Sequence, residues 1–295
     1  MVKVASFGAW DFLAGLLWYT LRVMKTLQSI YNLMGYADYL PATLAATLLG
    51  GATGGEGSLP RLGIAVLSNF LLFSLAVIYQ KIKNAPIAAT EPNCEIRNPI
   101  AAGEVSVRFS RTLSAVLVLL SLALAALLGP LNIVLGLLGV LIAIALSHRS
   151  LNLGSSALMH LGKQQPLLSV IFGLSGYLAV AQKVKFETIL LTIFFLAFGF
   201  LFNAWTAEKT SRPLSRPLLI LLLVFASASA YVLFIVLEVI PAWVLLLIVL
   251  LSSALALIKH RFNPHQQSLP QILFDSLAIA TAVSLIISYL VQEFF

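Results

Sequence analysis

The chain has 295 residues, of which 60% are hydrophobic and 10% charged, and a formal net charge of +7. Soluble domains carry about a quarter charged residues, so a soluble globular protein is excluded. The positive charge reads as the lysine and arginine excess of cytoplasmic loops in a membrane protein, not as a nucleic-acid surface.

Long apolar runs such as Leu113–Leu128 and Leu218–Leu237 point to spanning helices; a transmembrane barrel would show short segments of alternating polarity. Residues 9–35 come first in the chain. They place Trp10, Phe12, Leu13, Leu16, Leu17, Leu21, Val23 and Met24 beside Arg22 and Lys25, the pattern of an amphipathic helix lying on a membrane surface. A further span is the alternative for this segment. The N-terminal unit is therefore 1–36, and residues 37–295 form an all-α polytopic domain. Its nine expected spans are 37–54, 62–80, 107–128, 131–147, 166–182, 186–204, 216–237, 240–258 and 270–291. With the N-terminus cytoplasmic, 15 of the 18 lysines and arginines fall inside, and only Arg61, Lys183 and Lys185 fall outside. The turns outside are short, as at Gly129–Pro130 and Val239–Pro241, whereas the cytoplasmic loops 81–106, 148–165, 205–215 and 259–269 are longer and polar.

Cys94 is the sole cysteine, which excludes an intramolecular disulfide and a cysteine-based zinc site. Within the spans, Asn69, Asn132 and Asn203 are costly in lipid unless they face protein or water. Asp275, a few residues into the last span, calls for a cation such as Lys259 or Arg261.

The most informative stretch is "NPIAAGEVS", Asn98–Ser106, which leads into the third span. Together with nine spans and large cytoplasmic loops after spans two and six, it resembles the UbiA family of intramembrane prenyltransferases. The family segment has the form R-P-[LI]-x-[SA]-G-x-[IV]-S, met here at Pro99, Ile100, Ala102, Gly103, Val105 and Ser106, with Asn98 in place of arginine. The resemblance covers the whole chain in layout. It implies a nine-helix bundle and Mg²⁺ held by aspartates of two loops. It also implies a polyprenyl diphosphate whose allylic C–O bond ionises, and an isoprenoid chamber walled by spans two and six. The aromatics of those spans are Phe70, Phe73, Tyr79, Phe194, Phe195, Phe198, Phe200 and Phe202.

The departures from the family are chemical. Aspartate occurs only at Asp11, Asp38 and Asp275, outside both loops. The first loop reads "KIKNAPIAATEPNCEIR" and the second "NAWTAEKTSRP". Mg²⁺ demands oxygen ligands, and a departing diphosphate must have its charge neutralised. Glu91, Glu95 and Glu208 are weak substitutes as metal ligands. Asn84, Arg97, Arg108, Asn203, Lys209 and Arg212 are the candidates for binding a substrate or headgroup, since basic groups can hold a phosphate without metal.

These observations set the functional expectation. The chain is an integral protein of a bacterial cytoplasmic or photosynthetic membrane. It has no catalytic residues, binds a quinone, carotenoid or chlorophyll tail, and serves as an accessory or structural subunit among other membrane proteins. The alternative is an active prenyltransferase that moves a polyprenyl group from its diphosphate to an aromatic acceptor, with Mg²⁺ in a non-standard site.

Overall fold

The computed structural model describes residues 24–34, 36–55, 59–88, 98–147, 166–206, 216–262 and 269–294. Residues 24–34 form a helix, and nine further helices follow among the described residues. They are α1 (Tyr36–Gly54), α2 (Leu59–Ala88), α3 (Val107–Leu128), α4 (Pro130–Ser147), α5 (Pro166–Ala181), α6 (Phe186–Thr206), α7 (Arg216–Tyr231), α8 (Ala242–Phe262) and α9 (Leu269–Phe294). Five of the helices are long and apolar enough to cross a membrane, and Pro130–Ala145, Leu167–Ala181 and Phe186–Leu201 are shorter apolar stretches. Leu119, Leu127 and Leu257 are 68%, 69% and 71% exposed. Leucines so placed are stable only against hydrocarbon, and the molecule is an integral membrane protein.

The expected spans and the helices agree closely except at the end of α2. The sequence places a loop from Lys81 onward, but α2 continues to Ala88 and has Pro86 inside it. Lysines are good helix formers whose stems can lie on apolar surface while the ammonium reaches water, so Lys81 and Lys83 do not end the helix. Asn84 therefore stands exposed on the last turns of a helix, not in a loop.

Lipid offers no hydrophobic drive for one helix to seek another, so close packing of small residues and interhelical hydrogen bonds carry the association. The tightest seam joins α1 to α5. A Cβ on Gly50 would lie 1.8 Å from the Gly173 carbonyl oxygen, and one on Gly176 would lie 1.9 Å from that of Thr47. Only glycine permits this approach. Asn69 of α2 closes the seam from one side: its Nδ2 donates to Thr47 Oγ1 at 2.9 Å and to the Phe172 carbonyl at 3.3 Å. The polar cost of this buried amide is offset within the protein, as the sequence required.

A second seam joins α2 to α3 through serines. Ser68 Oγ donates to the Ser121 carbonyl and Ser121 Oγ to the Ser68 carbonyl, both at 2.9 Å. The buried face of α3 carries Ser110, Ser114 and Ser121 at helical spacing, interleaved with Leu117, Ala125 and Leu128.

At the end of the bundle that holds the short turns, Arg61 ties two helix ends together. Its Nε donates to the Ala179 carbonyl at 2.8 Å and its terminal nitrogen to the Leu128 carbonyl at 2.9 Å. The last carbonyls of α3 and α5 lack helical donors, and a guanidinium satisfies them while meeting the negative ends of both helix dipoles. At the opposite end, Asp275 pairs with Lys259 at 3.5 Å, as its place in the last span required.

Candidate ligand cavity

The loop "NPIAAGEVS" is a built corner. Asn98 is 4% exposed. Its Nδ2 donates to the Lys81 carbonyl on α2 at 2.9 Å, and its Oδ1 accepts from the Ile100 amide at 3.1 Å. The Pro99 carbonyl accepts from the amides of Glu104 and Val105, and Gly103 takes φ +73°, the left-handed conformation the turn needs. Ser106 then caps α3 by accepting from the Phe109 amide. Ile100 and Val105 point inward against Leu33, Met34, Ile78 and Leu117.

The helix at 24–34 rests on this corner. Ser29 Oγ donates to Glu104 Oε2 at 2.7 Å, Lys25 stands 3.8 Å from Glu104 Oε1, and Lys81 Nζ donates to the Asn32 carbonyl. Its outward positions carry Met24, Leu27 and Tyr31, all exposed. The helix thus has one apolar face on the bundle and another turned outward.

Beyond this corner, a cavity of about 210 Å³ lies inside the bundle. Ala42, Ala45, Ala46 and Leu49 of α1 form one wall, and Phe274, Leu277, Ala278 and Thr281 of α9 form another. Both sets follow the i, i+3, i+4, i+7 spacing of a single helix face. Phe194, Phe195 and Phe198 of α6 complete it with Ser169, Leu245, Ile248, Ile240 and Phe234. Phe234 comes from a π-helical turn, Val232–Val236, that continues α7. Its ring meets Phe194 edge-on at 5.8 Å, Phe194 stacks on Phe198 at 5.7 Å, and Phe198 leans on Phe274 at 6.4 Å. These quadrupolar contacts hold the rings at set angles around the space. Gly173 is part of the construction, because a Cβ there would sit 2.1 Å from the Phe195 ring.

Span six contributes Phe194, Phe195 and Phe198 to this lining, and span two contributes no residue to it. Phe73 of α2 packs instead on Phe172 with centroids 5.9 Å apart, because the α1–α5 seam stands between α2 and the cavity. Phe234, Phe274 and the alanines of α1 went unnoticed in the sequence. Their signal is the heptad-like stripe, which is hard to see where every face of a helix is apolar.

Among the proposed binding residues, the structure places Asn84 and Arg108 as exposed side chains near the corner. Asn203 lies on the last turn of α6, with its side chain not described, and Arg97, Lys209, Arg212, Glu91, Glu95 and Glu208 fall outside the described residues. None of those described lines the cavity.

No protein-family model matches the sequence, and no curated protein matches it. Solved structures do match by shape. A digeranylgeranylglyceryl phosphate synthase superposes with a TM-score of 0.62 at 14% identity, over 89% of this chain and 99% of that one. A UbiA homologue from Aeropyrum pernix K1 gives 0.58 at 18% identity, over 87% and 98%. A UbiA homologue from Archaeoglobus fulgidus, bound to DMAPP and Mg²⁺, gives 0.50 at 13% identity, over 90% and 88%.

Residues 89–97 and 207–215, most of the two loops that the resemblance assigns to a metal, lie outside the described residues. A divalent cation of this kind requires several oxygen ligands, with carboxylates foremost. Near the corner, the described side chains are Lys81, Lys83, Asn84, Arg108 and Arg111, and Glu104 is engaged by Ser29 and Lys25. By shape, across nearly nine-tenths of its length, this chain has the fold of the solved UbiA homologues.

Proposed function

We propose that the chain is a non-catalytic protein of UbiA fold that holds an isoprenoid in the aromatic cavity and serves as an accessory or structural subunit of a membrane complex. The observation that carries this reading is the lining. Five phenylalanines and a set of aliphatic side chains surround the space, and Ser169 and Thr281 are the only polar residues among its lining. Branched hydrocarbon fits such walls, and a charged reacting centre has nothing there to stabilise it. The volume exceeds the about 150 Å³ that suffices for benzene in an apolar cavity. The absence of aspartate from both loops of the sequence points the same way. The outward apolar face of the helix at 24–34 suits an interfacial helix that lies on the bilayer.

Native purification followed by mass spectrometry of bound lipids and subunits tests the proposal. An isoprenoid at near-stoichiometric amount, together with partner subunits, is expected. Mg²⁺-dependent turnover of a prenyl diphosphate, lost on Glu208→Gln, would establish the transferase reading instead.

A further inference from the structure

Arg108 and Arg111 stand exposed at the start of α3. Their spacing of three places them on one face of the helix. Steps of four and three carry that face on through Thr112, Val116, Leu119, Ala123 and Leu127, all of them exposed. The buried Ser110, Ser114 and Ser121 lie on the opposite side of the helix. One face of α3 thus begins with two guanidiniums and continues as bare hydrocarbon. At a rise of 1.5 Å per residue, Leu119 lies about 12 Å along the helix from Arg111.

The two guanidiniums have no carboxylate partner among the described residues. Lys25, its side chain 77% exposed, adds a third cation at this corner, and Glu104 stands 3.8 Å from it. No acidic residue occupies the first turn of α3, where the helix dipole is itself positive. Like charges one turn apart destabilise a helix, and an external anion removes that cost. A soluble anion would satisfy the guanidiniums alone. A phospholipid satisfies the whole face, because its phosphate meets the arginines while its acyl chain covers Val116, Leu119 and Leu127.

We infer that this face of α3 seats one anionic phospholipid. The phosphate oxygens accept from Arg108 and Arg111, whose planar forks suit that geometry, and one acyl chain lies along α3. A choline head would bring its own cation against the guanidiniums and Lys25, so the site favours a lipid of net negative charge. The inference stands apart from the isoprenoid reading, since no residue of this face lines the phenylalanine-walled cavity.

Native mass spectrometry of the purified full-length protein, delipidated in detergent and titrated with phosphatidylglycerol or phosphatidylcholine, tests it. One phosphatidylglycerol per chain is expected at concentrations where phosphatidylcholine does not bind. Arg108→Gln and Arg111→Gln together are expected to weaken phosphatidylglycerol binding about 25-fold, roughly fivefold for each arginine. Both side chains are exposed, so the thermal midpoint of the variants should not move. Arg261→Gln removes an equal charge from the last turn of α8 and should change binding less than about twofold.

A loss for Arg261→Gln as large as that for Arg108→Gln would reveal attraction by net charge alone and overturn the seat. Equal binding of the two lipids would overturn its preference for an anion. Displacement of phosphatidylglycerol by an equal concentration of glycerol 3-phosphate would overturn the lipid assignment, since the hydrocarbon face would then contribute nothing.

Discussion

Gly50→Ala is the sharpest probe of the packing that shapes the cavity. The added Cβ would stand 1.8 Å from the Gly173 carbonyl oxygen and 2.9 Å from its Cα. Backbone cannot swing aside as a flexible side chain can, so α1 and α5 must part by roughly 1.5 Å to restore ordinary contact, and such overpacking costs about 1–3 kcal/mol. Parting also stretches both bonds of Asn69, to Thr47 and to the Phe172 carbonyl. Each interhelical bond in a membrane bundle contributes about 0.6–1.7 kcal/mol, so the total loss is about 2–6 kcal/mol. Gly63→Ala is the matched control, also helical, because a Cβ there meets nothing within 4 Å. Thermal unfolding of both variants in the same detergent reads the difference. A large fall for Gly50→Ala beside an unchanged or slightly raised midpoint for Gly63→Ala is expected. Equal midpoints would refute the α1–α5 seam.

Arg61→Met should cost about 2–4 kcal/mol, since two carbonyl ends lose a charged donor, and Arg61→Lys should recover less than half of this because an ammonium lacks the planar fork; thermal unfolding of the two variants checks the order. Ser68→Ala and Ser121→Ala should be non-additive, with a coupling energy of about 1 kcal/mol in a double-mutant cycle, because each hydroxyl bonds the other residue's backbone. Asn98→Ala should cost about 1–3 kcal/mol and speed amide exchange at Ile100, whose donor loses its acceptor. Unchanged exchange there would mean that Asn98 does not brace the corner.

Much of this architecture was legible because lipid imposes it. Uninterrupted apolar runs must be helices where backbone groups cannot reach water, and most of the nine helix boundaries fall within a few residues of the sequence reading. Ser106 and Gly103 were legible as the frame of a turn. Asp275 demanded a cation, and Lys259 supplies one. The end of α2 was not legible, because lysine is compatible both with a loop and with a helix that emerges from lipid. The cavity was the least legible feature. Ala42, Ala46, Phe274 and Ala278 resemble any membrane helix in composition, and only the partner across the space gives them meaning. The same holds for Gly50 and Gly173, whose sequences show small residues but not which helix they face.

The central claim is that the phenylalanine-walled cavity holds an isoprenoid. Ala46→Phe places a ring inside it from the α1 wall. Quantitative mass spectrometry of lipid retained by native protein and by this variant, compared at equal folded yield, decides the matter. The account predicts near-stoichiometric isoprenoid in the native protein and at least a tenfold loss in the variant. Equal retention in both, or no isoprenoid in either, would contradict it.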